Sequence, residues 1–133
     1  MTTSLRAPIT MRLPFQPSSV SVARQRLKTW MVENGTPEET VEDARVVISE
    51  LVGNSVRHAQ PLSDGSLLVE WSCRDDGVQV SVTDGGSRTR PRNVHAPSSA
   101  LAGRGMAIIE VLADRWWSET AQSRTTVHAL LNA

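Results

Sequence analysis

The chain has no tyrosine, one phenylalanine and one cysteine among its 133 residues. A single cysteine, Cys73, excludes an internal disulfide framework and a cysteine-ligated metal site within one chain. Fourteen basic residues are matched by fourteen acidic ones, so the formal net charge is zero. Without a basic excess, the chain is not expected to bind nucleic acid directly or to coat an anionic membrane. No apolar run approaches the roughly 20 residues of a membrane span. The opening MTTSLRAPITMRLPF lacks the continuous apolar stretch of a signal peptide. These absences lead to the expectation of a reduced, cytoplasmic protein. Cys73 lies in the alternating run LLVEWSCRDD and is expected to be buried or half-buried in a strand.

What is present is ordinary for a globular chain: 39% apolar and 21% charged residues. The length suits one domain with one core and is too short for two. Residues 1–8 read as a flexible tail and residues 9–133 as a single domain. Ile9 to Phe15 alternates like an edge strand that Pro14 brings to an end. A helix then runs from about Ser18 to Asn34, with Val20, Ala23, Leu27, Trp30 and Met31 on its apolar face and Asn34-Gly35 as its stop. Thr36-Pro37-Glu38-Glu39 reads as a cap, a proline at the first helical position and a glutamate at the third. The helix it opens should reach His58. Ser66–Arg74 and Gly77–Thr83 alternate like strands around a turn at Asp75-Asp76-Gly77. After a long irregular segment, Met106–Ala113 reads as a helix, and residues 115–119 and 125–131 as two strands. Alternation at Trp116-Trp117 should bury one ring and expose the other. The predicted fold class is α+β: a two-layer α/β sandwich with a mixed, mostly antiparallel sheet and helices on one face.

Three segments carry chemistry. In SELVGNSVRHA, Glu50, Asn54 and His58 recur every four residues and so form one row on a helix. A glutamate can take a proton from a hydroxyl, and an Asn oxygen is a hard, neutral ligand suited to Mg²⁺. His58 is expected at the helix end, near the last carbonyls. Gly53 costs about 1 kcal/mol relative to Ala inside a helix, and a close approach by a neighbour is one compensation. In VTDGGSRTRP, a strand ends at Asp84-Gly85-Gly86, where an acceptor-only carboxylate sits beside glycines that admit a flat ring. In LAGRGMAIIEVLADRW, Gly103 and Gly105 precede a helix whose free amides favour phosphate. Between Gly85 and Gly105 stand Arg88, Arg90, Arg92 and Arg104 with no acidic residue, which suggests an anion nearby. No aromatic residue is interleaved for base stacking. Taken singly, the segments also fit a solvated stripe, an ordinary turn and a flexible arginine-bearing loop.

Taken in order, they resemble the GHKL (Bergerat-type) ATP-binding fold shared by gyrase B, the MutL proteins and sensor histidine kinases. Glu50-Leu51-Val52-Gly53-Asn54 is similar to that family's N box and Asp84-Gly85-Gly86 to its adenine box. Gly103-Arg104-Gly105-Met106 is similar to the second glycine box, and Arg124-Thr125-Thr126-Val127 to the threonine motif of the final strand. The resemblance spans about residues 10–132. It looks closest to the bacterial anti-sigma-factor serine/threonine kinases and the small ATP-binding regulators of actinomycetes related to them.

The resemblance implies ATP and Mg²⁺ as cofactors. It implies Glu50 as the general base toward a substrate serine and Asn54 as the Mg²⁺ ligand. Asp84 would accept from the adenine amino group, Gly86 would give the ring room and Thr125 would support it. The amides of Gly103, Arg104, Gly105 and Met106 would receive phosphates, and residues 87–102 would form a lid. The implied partners are a STAS-type anti-sigma antagonist and/or a sigma factor, and homodimerisation is common in the resembled kinases. The alternative function is a non-catalytic ATP-binding or sigma-sequestering module. Two positions depart from the family pattern: Arg88 and Arg124 stand where glycines are usual.

Overall fold

A computed structural model describes residues 7–86 and 106–131. Most of the expected tail, the lid at 87–102 and the Gly103, Arg104 and Gly105 positions lie outside the described residues. The elements follow the order β1 (Ile9–Pro14), α1 (Ser19–Glu33), α2 (Glu38–His58), β2 (Ser66–Arg74), β3 (Gly77–Asp84), α3 (Ala107–Leu112), β4 (Arg115–Ala121) and β5 (Arg124–Leu131).

Alternation decides the sheet. Leu67, Val69 and Trp71 of β2, Val78, Val80 and Val82 of β3, and Val127, Ala129 and Leu131 of β5 all point to one buried face. The register matches them across the ladders, with Val69 opposite Val82, Trp71 opposite Val80, and Val82 opposite Val127. The five strands lie in the order β1-β2-β3-β5-β4, which places β3 at the centre. Every pairing is antiparallel, so the mixed character expected of the sheet is not found among the described residues. Two-residue turns make the β2–β3 and β4–β5 hairpins antiparallel, whereas β1–β2 and β3–β5 pair antiparallel across helical connections.

The helices cover that face with their own periodic stripes: Ala23, Leu27, Trp30 and Met31 from α1, and Val41, Ala44, Val47, Ile48, Leu51 and Val52 from α2. Each fully buried Leu, Ile or Met contributes about 1.5–3 kcal/mol relative to exposure. Helix α1 ends as its sequence implies, with Gly35 at φ +74° and the Asn34 side-chain amide donating to the Trp30 carbonyl at 2.6 Å. The start of α2 differs from expectation. Pro37 occupies the capping position with no side-chain cap bond. The Thr36 amide donates back to the Met31 carbonyl at 3.0 Å, within the turn that closes α1. Glu38 and Glu39 still place negative charge on the first turn.

Cys73 corrects an expectation, because it is exposed. It shares the inward parity of Val69 and Trp71 but lies near the end of β2, one residue before Arg74 and the turn. Parity sets direction, but burial also needs a helix overhead. The tryptophan pair also departs from the expected split, since both rings are half-buried. Trp116 packs against the core. Trp117, on the other face, stacks on His128 with ring centroids 4.9 Å apart and lies under the Arg115 guanidinium at 5.5 Å.

Candidate functional site

The C-terminal half of α2 carries the row Glu50, Asn54, His58, but its three members meet different surroundings. Asn54 is buried at 2% exposure, Glu50 is half-buried, and His58 is exposed on the last turn. The difference follows from what covers each turn. Met106, the residue that precedes α3, packs onto α2 at Asn54, and the Asn54 amide nitrogen donates to its sulfur at 3.7 Å. The Asn54 oxygen accepts from Arg57 Nη2 at 2.9 Å. Arginine has donors only, so the atom facing it must be the oxygen, and this fixes the orientation of the amide. No hydrogen bond or ion pair joins the Glu50 carboxylate to another of the described residues. Gly53 has its compensation in the same place. A Cβ there would meet Arg57 Nη1 at 3.1 Å, so the glycine lets the guanidinium fold back along the helix.

The next residue, Ser55, turns to the sheet. Its hydroxyl donates to Asp84 Oδ2 at 2.5 Å, and the Gly86 amide donates to Asp84 Oδ1 at 2.8 Å. Asp84 is 1% exposed at the end of β3 and stands opposite Thr125, the second residue of β5. Thr125 is itself buried, and its hydroxyl lies 3.3 Å from that of Thr120. Gly86 sits at φ +95°, and a Cβ on it would come within 3.3 Å of the Ser123 carbonyl and 3.8 Å of the Thr125 hydroxyl. The three residues assigned to an adenine ring, Asp84, Gly86 and Thr125, are therefore neighbours.

Gly85 serves a different need. A Cβ there would stand 2.2 Å from the Pro61 carbonyl oxygen. Its amide donates to the Gln60 carbonyl at 2.7 Å, and the Gln60 amide donates to the Gly86 carbonyl at 2.9 Å. This backbone bridge ties the chain after β3 to the chain after α2, and only a glycine fits against it.

The arrangement is a buried carboxylate beside a side-chain-free backbone, reached from a helix that also offers an amide oxygen and a carboxylate. An exocyclic amine suits the first group, and a hard cation suits the second. Glu50, Asn54 and Met106 lie along one side and Asp84, Gly86 and Thr125 along the other, joined through Asn54 and Ser55. Two polar contributors were not singled out in the sequence, Ser55 and Arg57. Both lie inside the stretch that was read, but the row at four-residue spacing passes over them.

Residues 13–130 match the histidine kinase-like ATPase domain, and the chain belongs to that family. Within it, the likeness runs to serine-protein kinase RsbW. The Listeria innocua protein of that name is 32% identical over 118 residues, covering 80% of this chain and 75% of its own. Among solved structures, the RsbU and RsbW domains of a Mycobacterium tuberculosis protein align with a TM-score of 0.74 at 22% identity, over 96% of this chain and 32% of that longer one. The SiaB–SiaC complex from Pseudomonas aeruginosa contains a chain matching at TM-score 0.68 and 14% identity, over 92% of this chain and 88% of that one. At these identities the two structures show a shared fold. Family membership makes ATP the nucleotide this domain uses. No described helix is long and apolar enough to cross a membrane.

Proposed function

We propose that the chain is an ATP-dependent protein serine kinase of the anti-sigma-factor type. It transfers the terminal phosphoryl group of ATP to a serine of a STAS-type antagonist, with a sigma factor as the alternative partner. The observation that carries this reading is the adjacency of Asn54 and Ser55. One residue presents its oxygen beside Glu50's helix face, and the next holds the Asp84 carboxylate. A nucleotide with its base at Asp84 would thus have its phosphates directed toward the helix that bears Glu50.

In this reading Asp84 accepts from the adenine amino group, Gly86 leaves space for the ring, and Thr125 supports it. The amides of Gly103, Arg104, Gly105 and Met106 receive phosphates, and residues 87–102 close over them. Glu50 takes the proton of the substrate serine hydroxyl, and its lack of a described partner leaves the carboxylate available. Asn54 Oδ1 fits Mg²⁺, because the side chain already turns that oxygen toward positive charge. When bound, Mg²⁺ neutralises phosphate charge that shifts toward the leaving oxygen. Residues 9–133 act as one ATP-binding domain, paired with a second copy. The setting is cytoplasmic, where an exposed thiol such as Cys73 stays reduced.

A module that only held ATP would need no carboxylate at position 50, and this favours the enzyme. The discriminating experiment incubates wild-type protein and Glu50→Ala with labelled ATP, Mg²⁺ and candidate antagonists. The kinase reading expects label on a serine with wild type and transfer lowered about 10²–10⁴-fold in the variant, with ATP binding kept. Equal transfer by both proteins would remove Glu50 from its role. ATP binding by the wild type without transfer to any candidate would favour the holding module.

A further inference from the structure

Asn54 and Arg57 form a contact that the proposed reaction does not use. Arg57 is exposed, yet its guanidinium returns along α2 to donate to a buried oxygen at 2.9 Å, over a glycine that leaves it room. The Asn54 nitrogen is turned away toward Met106, so the amide is set with its acceptor facing the cationic group. We infer that Arg57 is a placeholder for the metal. Its guanidinium and Mg²⁺ exclude one another at Asn54 Oδ1, and Arg57 swings into solvent when the cation arrives. This rests on the assignment of Asn54 as the Mg²⁺ ligand.

The exclusion has two physical causes. A guanidinium within hydrogen-bond reach of the oxygen would lie close to a dication on the same atom, and like charges at that distance repel strongly away from bulk water. Mg²⁺ also demands near-ideal octahedral geometry, usually with several waters retained, and those waters need the volume the guanidinium fills. Without metal, the same contact keeps the buried oxygen from being left unpaired, a state that is costly. Arg57 therefore occupies the ligand atom until the metal enters, and acts as its competitor. The affinity for Mg²⁺ is correspondingly lower than an unobstructed oxygen would give.

The test is a calorimetric titration of ATP into the full chain across a series of Mg²⁺ concentrations, starting from metal chelated away. It is run on wild type, Arg57→Gln, Arg57→Lys, Gly53→Ala and Asn54→Ala. Loss of the competing charge in Arg57→Gln should lower the Mg²⁺ concentration for half-maximal enhancement of ATP binding about three- to tenfold, the range of an ordinary net hydrogen bond, because the exposed Arg57 charge is screened by solvent. Arg57→Lys keeps the charge and should remain near wild type. Gly53→Ala, whose Cβ would crowd Nη1, should shift in the same direction as Arg57→Gln. Two outcomes overturn the inference: an unchanged Mg²⁺ dependence in Arg57→Gln, or weaker ATP binding by the same factor with and without metal, which would make Arg57 a phosphate ligand. Asn54→Ala separates the two readings. If it keeps the wild-type Mg²⁺ dependence, Asn54 is not the ligand and the placeholder fails with it; if the dependence disappears, the Arg57 result stands alone.

Discussion

The hydroxyl of Ser55 and the carboxylate of Asp84 are 2.5 Å apart, and both are buried. This contact joins the C-terminal end of the site's helix to the end of its central strand. Ser55 is the residue after Asn54, so it also fixes the distance between the two halves of the site. A buried carboxylate is costly unless donors surround it. Here a side-chain hydroxyl and the Gly86 amide supply two of them, and the carboxylate is oriented before any base arrives.

Ser55→Ala should therefore cost stability as well as affinity. A buried acceptor that loses its partner costs about 1–3 kcal/mol, and the better helix propensity of alanine returns about 0.5 kcal/mol of that. Urea denaturation should show a lower midpoint with an unchanged slope, and ATP binding should weaken. An unaltered midpoint would mean that the hydroxyl contributes nothing to holding Asp84.

The two glycines after Asp84 are not equivalent, and Gly85 is the stricter. Alanine there would press a methyl group to 2.2 Å from the Pro61 carbonyl and part the bridge between Gln60 and Gly86. A loss of about 3 kcal/mol is expected. Gly65→Ala is the control. It meets a backbone strain that Gly85 does not, at φ +81°, but has no atom within 4 Å of the added carbon, and about 1–2 kcal/mol is expected. Denaturant midpoints for the two variants should fall in that order; the reverse order would refute the packing role of Gly85.

The β4–β5 turn stores strain beside the site. Gln122 and Ser123 both adopt positive φ, at 54° and 68°, a geometry suited to Asn-Gly. The double substitution Gln122→Asn with Ser123→Gly should stabilise the protein by about 1 kcal/mol. Because the Ser123 carbonyl, not its side chain, faces Gly86, ATP affinity should stay unchanged. A thermal scan and a nucleotide titration on one sample check both halves.

Much of this was legible in the chain itself, and the exceptions share a cause. The ends of β2 at Ser66 and Arg74 and the end of α2 at His58 follow from period and turn chemistry alone. The neighbourhood of Asp84, Gly86 and Thr125 follows from their motifs, although the register that pairs Asp84 with Thr125 is visible only in the sheet. The exposure of Cys73 and the burial of Asn54 could not be read from parity or row, because both depend on which helix lies overhead. Gly85 looked like space for a ring and proves to be space for Pro61, a contact from another loop. Arg57 was passed over because its meaning depends on the orientation of the Asn54 amide. Local patterns fixed direction, whereas burial and hydrogen-bond partners came from segments distant in sequence.

The most direct measurement titrates ATP and GTP into wild-type protein and Asp84→Asn by calorimetry. If the Asp84 carboxylate receives the adenine amine, wild type binds ATP and discriminates against GTP, whose ring carries an oxygen at that position. In Asp84→Asn the ATP affinity should then fall about tenfold or more, the loss expected for a hydrogen bond to a charged group. Equal ATP affinity in the two proteins, or no ATP binding by the wild type, would contradict the account.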